Sequence, residues 1–205
     1  MLEISAIVKK TEALFDLFNE HFYNGELSRP AITVSPDGGR GAYGWCSVDE
    51  IWKTGDDTHR EINLCAEYLD RPMTEICGTM LHEMAHLYNL HRSIEDVSNN
   101  GYYHNKRFKE TAEAHGLIIE KHDKYGWTIT TLTAEASAWL EQVLGGEAIR
   151  AARLPEGNGK GKKGGSKSKN RSIKYVCPEC GAIIRATREV NVICGDCEVP
   201  FERAE

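Results

Sequence analysis

The sequence predicts an α+β fold, in which helices pack on a small, mostly antiparallel sheet and a small separate module follows at the C terminus. Apolar residues recur at helical spacing in several segments, and short runs rich in β-branched and aromatic residues lie between them. Two C-x-x-C pairs are crowded into the last 29 residues. A segment of that size cannot bury a sizeable core, so it needs another source of stability. At 205 residues, the chain has room for one domain of ordinary size and such a module.

The elements of the predicted domain follow from apolar spacing and from the residues that end each run. Asn24-Gly25 would end the first helix, and proline at position 72 favours the start of the second. Residues 53–58 have the composition of a turn. In chain order we predict a helix from Ile4 to Phe22, strands over 31–34, 42–48 and 61–65, a helix from about Pro72 to near His91, a helix that ends at Gly116, a strand over 127–132 and a helix over 134–144.

The charged residues divide the chain into segments of opposite sign. Residues 1–155 carry 15 Lys and Arg against 24 Asp and Glu, whereas residues 156–174 carry seven against one. The basic segment is rich in glycine and serine and has no apolar periodicity, which is typical of a flexible linker. We therefore predict a domain over 1–154, a basic flexible linker over 155–174 and a small module over 175–205.

Membrane association is not expected from this sequence. No stretch approaches the roughly eighteen consecutive apolar residues of a membrane helix, and residues 1–10 lack the apolar core and cleavage site of a signal peptide. We therefore expect a cytoplasmic location, associated with the nucleoid if the source is bacterial or a phage. For the oligomeric state, which the sequence leaves open, we favour a monomer.

The second predicted helix carries the spacing H-E-x-x-H at His82, Glu83 and His86. Residues four apart lie one turn above each other on a helix, so the two histidines can place imidazole nitrogens on one metal ion. Glu83 would lie beside the metal, where its carboxylate can take a proton from a metal-activated water and later return it. The apolar neighbours indicate a buried helix, where such polar groups are costly unless they have partners. A pair of core histidines with ordinary hydrogen bonds is the alternative.

A catalytic zinc ion usually has three protein ligands and one water, so a third ligand must lie downstream. We choose His104, at the entrance to the third helix. Glu110 and Glu113 are alternatives, but they lie on a lysine-rich amphipathic helix where a solvated role is simpler. His91 follows His86 by five residues and is turned away from the ligand face of a continuous helix. Candidate donors to an oxyanion are Tyr102, Tyr103 and Tyr125.

The C-terminal cysteines have the spacing of a structural zinc site. Each C-x-x-C pair can form a tight turn that offers two thiolates, and four thiolates complete a tetrahedral site with no place for water. We therefore predict a zinc ribbon that depends on its ion for stability, with a hairpin over 183–192 between the two pairs. The four predicted ligands are Cys177, Cys180, Cys194 and Cys197.

Four segments of the chain, one of which contains the H-E-x-x-H motif, have a familiar pattern. They are Phe22-Tyr23-Asn24-Gly25, Ile62-Asn63-Leu64, Leu81-His82-Glu83-Met84-Ala85-His86 and His104-x-x-x-Phe108. Together with the four-cysteine module they resemble the SprT-like, or Spartan-type, family of zinc metalloproteases. The resemblance implies a zincin-like metalloprotease domain in which His82, His86 and His104 bind the catalytic zinc and Glu83 is the general base. It also implies proteolysis of proteins bound or crosslinked to DNA, with DNA as an activator. In the family, a glycine is frequent where this chain has Asn105.

Apart from the resemblance, the basic linker is the one feature of the sequence that supports nucleic-acid binding. Its cations could neutralise several phosphates, which gives binding that depends on salt and not on base sequence. The alternative is a spacer that binds nothing. The C-terminal module is net acidic, and it could bind either nucleic acid or a protein. The candidate cations are Lys160, Lys162, Lys163, Lys167, Lys169, Arg171 and Lys174.

The sequence therefore predicts a zinc endopeptidase with one catalytic and one structural zinc ion, acting on protein substrates associated with DNA. In zinc peptidases with this motif, the edge of a sheet commonly lies beside the metal and can pair with a peptide. A hypothesis from a different class is a DNA- or transcription-associated binding protein with two structural zinc sites and no turnover. That protein would require a fourth protein ligand at the first site, and Glu83 favours the enzyme.

Overall fold

The computed structural model of the chain describes residues 3–38, 40–99, 101–154 and 173–204. By its internal contacts the chain divides into two units, Met1–Pro155 and Glu156–Glu205. Within the described residues, no helix combines the length and the apolar character needed to cross a bilayer.

The first unit alternates helices with short strands. Its helices are α1 (Ile4–Tyr23), α2 (Met73–His91), α3 (Lys106–Ala114) and α4 (Ala134–Leu144), and a 3-10 turn spans Ala66–Tyr68. Its strands are β1 (Ala31–Ser35), β2 (Gly44–Cys46), β3 (Trp52–Thr54), β4 (Asp57–His59), β5 (Glu61–Cys65), β6 (Val97–Ser98), β7 (Tyr103–His104), β8 (Leu117–His122) and β9 (Gly126–Leu132).

The strands of the first unit form two sheets and a separate hairpin. In the first sheet, with order β1-β5-β2, β1 is parallel to β5 and β2 is antiparallel to it. In the second sheet, with order β6-β7-β9-β8, β7 and β9 are parallel and the other pairs are antiparallel. β3 and β4 pair only with each other. The predicted α+β class with mostly antiparallel pairing is confirmed, although the strands are distributed over two sheets.

Helix α2 is the central element of the first unit. It packs against strands of both sheets and against α1 and α3. Its side chains are buried on nearly all sides, and Ile76, Met80, Leu81, Met84 and Ala85 have no solvent exposure. A helix that is apolar all round belongs in a core. Polar side chains in the middle of α2 are therefore largely kept away from water and depend on partners within the protein.

Several parts of the first unit differ from the elements that the sequence predicts, including the two-residue strands β6 and β7, which it does not predict. Residues 53–58, predicted as a turn, contribute to the β3–β4 hairpin. Strand β8 was not predicted, although its side chains alternate between buried Leu117 and Ile119 and exposed Ile118 and Glu120. Pairing with β9 decides between strand and coil here, and such pairing is not visible in a window of six residues.

The second unit contains a three-stranded antiparallel sheet in its described part. Its strands are β10 (Ile173–Val176), β11 (Ile183–Ala186) and β12 (Glu202–Arg203), in the order β11-β10-β12. The predicted hairpin over 183–192 is wrong, because β11 pairs with β10 instead. Lys174, predicted in the linker, lies in β10. The other six predicted linker cations, from Lys160 to Arg171, lie outside the described residues.

Candidate metal centres

Three imidazole rings converge on one point in the first unit. Nε2 of His104 lies 3.2 Å from Nε2 of His82 and 3.1 Å from Nε2 of His86. His82 and His86 lie one turn apart on α2, and His104 reaches them from β7. The backbone N–H of His104 donates to the carbonyl oxygen of Tyr125, at 2.9 Å, which holds this short strand in place. The ligand atoms of the three histidines all lie within 4.8 Å of one another.

The second ring nitrogens of the two α2 histidines have hydrogen-bond partners. His86 Nδ1 donates to Asp96 Oδ2 at 2.7 Å. His82 Nδ1 lies 2.7 Å from Thr130 Oγ1, and that hydroxyl donates its own proton to the carbonyl oxygen of Thr128 at 3.2 Å. Thr130 must then accept from His82 Nδ1. Both rings therefore carry their proton on Nδ1 and turn the lone pair of Nε2 towards the centre, as metal ligands do.

Phe108 supports all three imidazoles from one side. Its ring centroid lies 4.5 Å from the rings of His82 and His86 and 4.7 Å from the ring of His104. Phe108 is fully buried in the first turn of α3. His104 Nδ1 is buried and has no hydrogen-bond partner among the described residues. The ring of His104 is thus held by Phe108 and by the backbone pairing of β7.

Asp96 connects His86 to a buried polar chain. Its Oδ2 also accepts from Asn89 Nδ2 at 2.9 Å, and Asn89 Oδ1 accepts from the hydroxyl of Thr111 at 2.7 Å. Burial alone would raise the pKa of Asp96, but the hydrogen bonds from His86 and Asn89 hold it below its usual value. Asp96 is therefore an ionised acceptor that orients the His86 ring.

Burial lowers the pKa of the other two histidines. The pKa of His82 lies well below its usual value, because burial and the neighbouring imidazoles disfavour its charged form. Burial, followed by the effect of His86, lowers the pKa of His104 to about 4. Neutral imidazole is the form that binds a metal ion, so both rings are ready for coordination at neutral pH.

Glu83 lies next to His82 on α2 and is only 6% exposed. Burial raises its pKa to about 7, against the opposing effects of His86 and of a hydrogen bond from the backbone of Cys46. Cys46 lies in β2, the strand at the edge of the first sheet. The Glu83 carboxylate is therefore held between the three-histidine group and the edge of a sheet. A carboxyl group with a pKa near neutrality can both accept and return a proton.

The alternative ligands lie outside this group. Glu110 and Glu113 are exposed on α3, and Oε1 of Glu113 lies 3.6 Å from Nζ of Lys109. His91 is exposed at the end of α2. Among the candidate oxyanion donors, Tyr102 is 69% exposed.

Three residues around the histidines were not found by sequence reasoning. Asp96 lies in a polar segment for which the sequence predicts no element, and Thr130 lies in a strand whose hydroxyl residues resemble normal strand formers. Phe108 was noted only as part of a resemblance, and its place under the rings was not predicted. An acidic residue within the loop between the second and third histidine was the one usable signal, because histidine ligands commonly donate to a carboxylate.

The second unit contains a group of four sulfur atoms. The Sγ atoms of Cys177, Cys180, Cys194 and Cys197 all lie within 4.8 Å of one another. Each C-x-x-C pair forms the same turn, since Gly181 N–H donates to Cys177 O at 3.0 Å and Glu198 N–H donates to Cys194 O at 2.8 Å. Both donor residues have positive φ, 72° and 57°. A hydrogen bond from the backbone of Cys180 lowers the pKa of Cys177 to about 7, whereas a hydrogen bond with Cys180 and burial raise the pKa of Cys197 to about 12.

Both groups have donor atoms that suit zinc. Three imidazole nitrogens are a known ligand set of catalytic zinc, and four thiolates are a ligand set of structural zinc. Soft thiolates and imidazoles also disfavour magnesium and calcium, which prefer oxygen. The described residues thus contain two groups able to hold a metal ion, one in each unit.

Comparisons with known proteins identify the first unit. A family model described as the SprT-like family matches residues 11–125. No curated protein and no solved structure matches the chain. The matched region includes Glu83 and the three converging histidines, and it ends before the four cysteines. Because the match covers more than half of the 205 residues, the chain belongs to the SprT-like family.

Proposed function

We propose that the first unit is a zinc-dependent endopeptidase. Membership of the SprT-like family indicates a metalloprotease-type domain. One observation supports the specific activity most strongly, which is the convergence of three imidazoles beside the buried carboxyl group of Glu83. His82, His86 and His104 would hold the zinc ion, and a set of three protein ligands is that of a catalytic site.

A bound zinc ion would supply Lewis acidity next to Glu83. Glu83 has the environment of a general base, because burial places its pKa near 7. Its carboxylate takes a proton from the water that attacks the peptide carbonyl carbon. It then gives that proton to the amine nitrogen as the C–N bond breaks. The backbone N–H of Cys46 favours the ionised form of this carboxylate, which is the form that accepts the proton.

The edge of β2 is the proposed binding site for the substrate main chain. Cys65 N–H donates to Tyr43 O, and Ser47 N–H donates to Glu61 O. Positions 43, 45 and 47 of this antiparallel pair therefore turn their backbone groups towards β5, and Gly44 and Cys46 turn theirs away. The edge of β2 that faces away from β5 is thus the one beside Glu83. An extended peptide that pairs with Gly44 would bring its carbonyl groups close to the three-histidine group.

The proposed substrates are proteins bound or crosslinked to DNA. The support lies in the charge pattern, since residues 156–174 carry seven cations that could neutralise phosphates without reading the base sequence. Residues 1–155 are acidic, with 24 Asp and Glu against 15 Lys and Arg. An acidic catalytic unit favours the approach of basic polypeptides, and DNA-binding proteins are commonly basic.

The alternative of a binding protein with two structural zinc sites has less support. It needs a fourth protein ligand at the first centre. Among the described residues, no further His, Cys, Asp or Glu joins His82, His86 and His104 in their group. In such a protein Glu83 would also have no chemical role that offsets the free-energy cost of burying its carboxyl group.

The variant Glu83→Gln tests the proposed activity. We expect it to lower the rate of proteolysis by about 10²–10⁴-fold, because the amide cannot take up the proton. Glu75→Gln is the matched control, since Glu75 is exposed in the first turn of the same helix. The assay measures cleavage of a basic, DNA-bound protein with and without single- or double-stranded DNA. Wild-type cleavage by a folded, zinc-loaded Glu83→Gln variant would show that the mechanism is wrong.

A further inference from the structure

Asn105 stands directly after His104 and caps helix α3. Its side-chain oxygen accepts from the backbone N–H groups of Arg107, at 2.8 Å, and Phe108, at 3.4 Å. Asparagine is among the preferred residues at this position, because it satisfies N–H groups that have no partner within the helix. Capping by itself explains the use of the side-chain oxygen.

The other polar groups of Asn105 bind a segment outside the helix. Its side-chain Nδ2 donates to the carbonyl oxygen of Glu95 at 2.8 Å, and its backbone N–H donates to the carbonyl oxygen of Asp96 at 2.9 Å. Glu95 and Asp96, two consecutive residues of the loop before β6, are therefore both hydrogen-bonded to Asn105. Helix capping requires neither of these bonds.

The loop that Asn105 binds contains Asp96, the hydrogen-bond partner of a predicted metal ligand. Asp96 presents its carboxylate to His86 Nδ1 at 2.7 Å, which sets the orientation of that ring. On its other sides, Asn105 is covalently joined to His104 and fixes the N–H of Phe108, the residue that lies under all three imidazoles. The segment that holds Asp96, the ligand candidate His104 and the helical turn that carries Phe108 thus all meet at Asn105.

We propose that Asn105 is a positioning residue for the three-histidine metal centre, acting through the bond from its side-chain amide to Glu95 and the placement of Asp96 that follows. This inference rests on the proposed zinc site of the first unit. Aspartate at position 105 would keep an oxygen to cap α3 but has no N–H to donate. The variant Asn105→Asp therefore removes the side-chain bond to Glu95, and it leaves both the helix cap and the backbone bond to Asp96.

The experiment compares the full-length wild-type protein with Asn105→Asp and with Thr133→Ala. Thr133 is the matched control, because its hydroxyl caps α4 by accepting from Ala136 N–H at 3.1 Å and lies outside the group of converging rings. Zinc affinity is measured by competition with a chromophoric chelator. Cobalt substitution separates the two centres, since only the four-cysteine site gives thiolate-to-metal absorption.

We expect Asn105→Asp to lower the affinity of the histidine centre for zinc by about tenfold or more, as the loss of an outer-shell partner does. Thr133→Ala should lower the melting temperature and leave that affinity within twofold of the wild type. If Asn105→Asp does not fold, Asn105→Ser replaces it, because a serine hydroxyl can cap the helix but is too short to reach Glu95. A loss of affinity below threefold in the folded variant would overturn the inference and leave Asn105 as a helix cap.

The two proposals fail in different ways. A wild-type protein that binds zinc at the histidine centre and cleaves nothing would overturn the proposed activity, while a tenfold effect of Asn105→Asp on zinc affinity would still support the positioning role. A wild-type protein that cleaves substrate and an Asn105→Asp variant with unchanged zinc affinity would overturn the positioning role alone.

Discussion

At the scale of single residues, Gly44 determines how closely β2 approaches Glu83. A Cβ atom at position 44 would lie 2.8 Å from the backbone oxygen of Asn63 and 3.3 Å from Cγ of Glu83. The first contact is too short, and β5 cannot easily move because it pairs with β1 on one side and β2 on the other. Glycine therefore allows one strand to contact both β5 and α2.

The variant Gly44→Ala is expected to lower the free energy of unfolding by about 1–3 kcal/mol, because overpacking forces backbone shifts. It should also slow proteolysis, since β2 would move away from Glu83. Gly78→Ala is the matched control, because an added Cβ in α2 meets nothing within 4 Å outside the backbone of its own helix. The control should leave stability unchanged or raise it by up to about 1 kcal/mol. Chemical denaturation measures the free energy of unfolding of both variants. Equal losses of stability in Gly44→Ala and Gly78→Ala would contradict this role of Gly44.

At the scale of elements, the position of His104 depends on a strand of two residues. β7 lies between β6 and β9, and its pairing with β9 joins His104 to Gly126. A Cβ at position 126 would lie 2.2 Å from the carbonyl oxygen of His104, so a glycine is needed for this approach. The sequence predicted His104 at a helix entrance, and α3 begins two residues later at Lys106. A strand this short has no periodicity to detect.

The second unit is expected to depend on its zinc ion. Its buried side chains in the described part are Tyr175, Cys177 and Cys194, which is too little apolar surface for independent stability. The first unit has its own core, including Phe15 and Phe18 of α1.

Removal of zinc by a chelator should therefore unfold residues 173–204 and leave the first unit folded. All four tryptophans, Trp45, Trp52, Trp127 and Trp139, lie in the first unit, so their fluorescence reports on that unit alone. Amide resonances of β10 and β11 report on the second unit. His82→Ala is the control, because it affects only the first metal centre. Dispersed β10 and β11 resonances in fully metal-free protein would contradict the dependence on zinc.

At the scale of the whole molecule, an acidic unit is followed by a strongly basic segment. A protein that brings an active site to polypeptides on DNA needs affinity for the phosphate backbone and must not be confined to one base sequence. Lysine-rich segments provide such affinity through the release of counterions. From this charge pattern we propose that residues 156–174 bind DNA and that the first unit binds the substrate polypeptide.

Exchange of the six cations between positions 160 and 171 for glutamine should weaken DNA binding and reduce its dependence on salt. Each lost phosphate contact on duplex DNA lowers the slope of log affinity against log salt by about 0.9. Fluorescence anisotropy of labelled DNA at several salt concentrations measures both quantities. An unchanged slope would show that this segment does not bind DNA. The control exchanges six exposed cations of the first unit, Lys9, Lys53, Arg107, Lys121, Lys124 and Arg150.

The sequence by itself determined the features that depend on local spacing. His82 and His86 lie one turn apart because they are four residues apart on a helix, and Glu83 follows from the same motif. Each C-x-x-C pair forms its turn from neighbouring residues, as the matching hydrogen bonds at Gly181 and Glu198 show. The apolar pattern also identified α2 as a core helix. These relations need no knowledge of where distant segments lie.

Only the tertiary structure decided which distant residues orient the three histidines. His82 meets Thr130, 48 positions away, and His86 meets Asp96 across a loop. The edge of β2 reaches Glu83 only because Gly44 permits the approach. Such contacts depend on strand pairing and packing. These are set by the free-energy minimum of the whole folded chain and not by the conformational preferences of a short segment. The sequence therefore predicts three histidines and a base, and the fold supplies the hydrogen-bond partners and the ring contact that orient them.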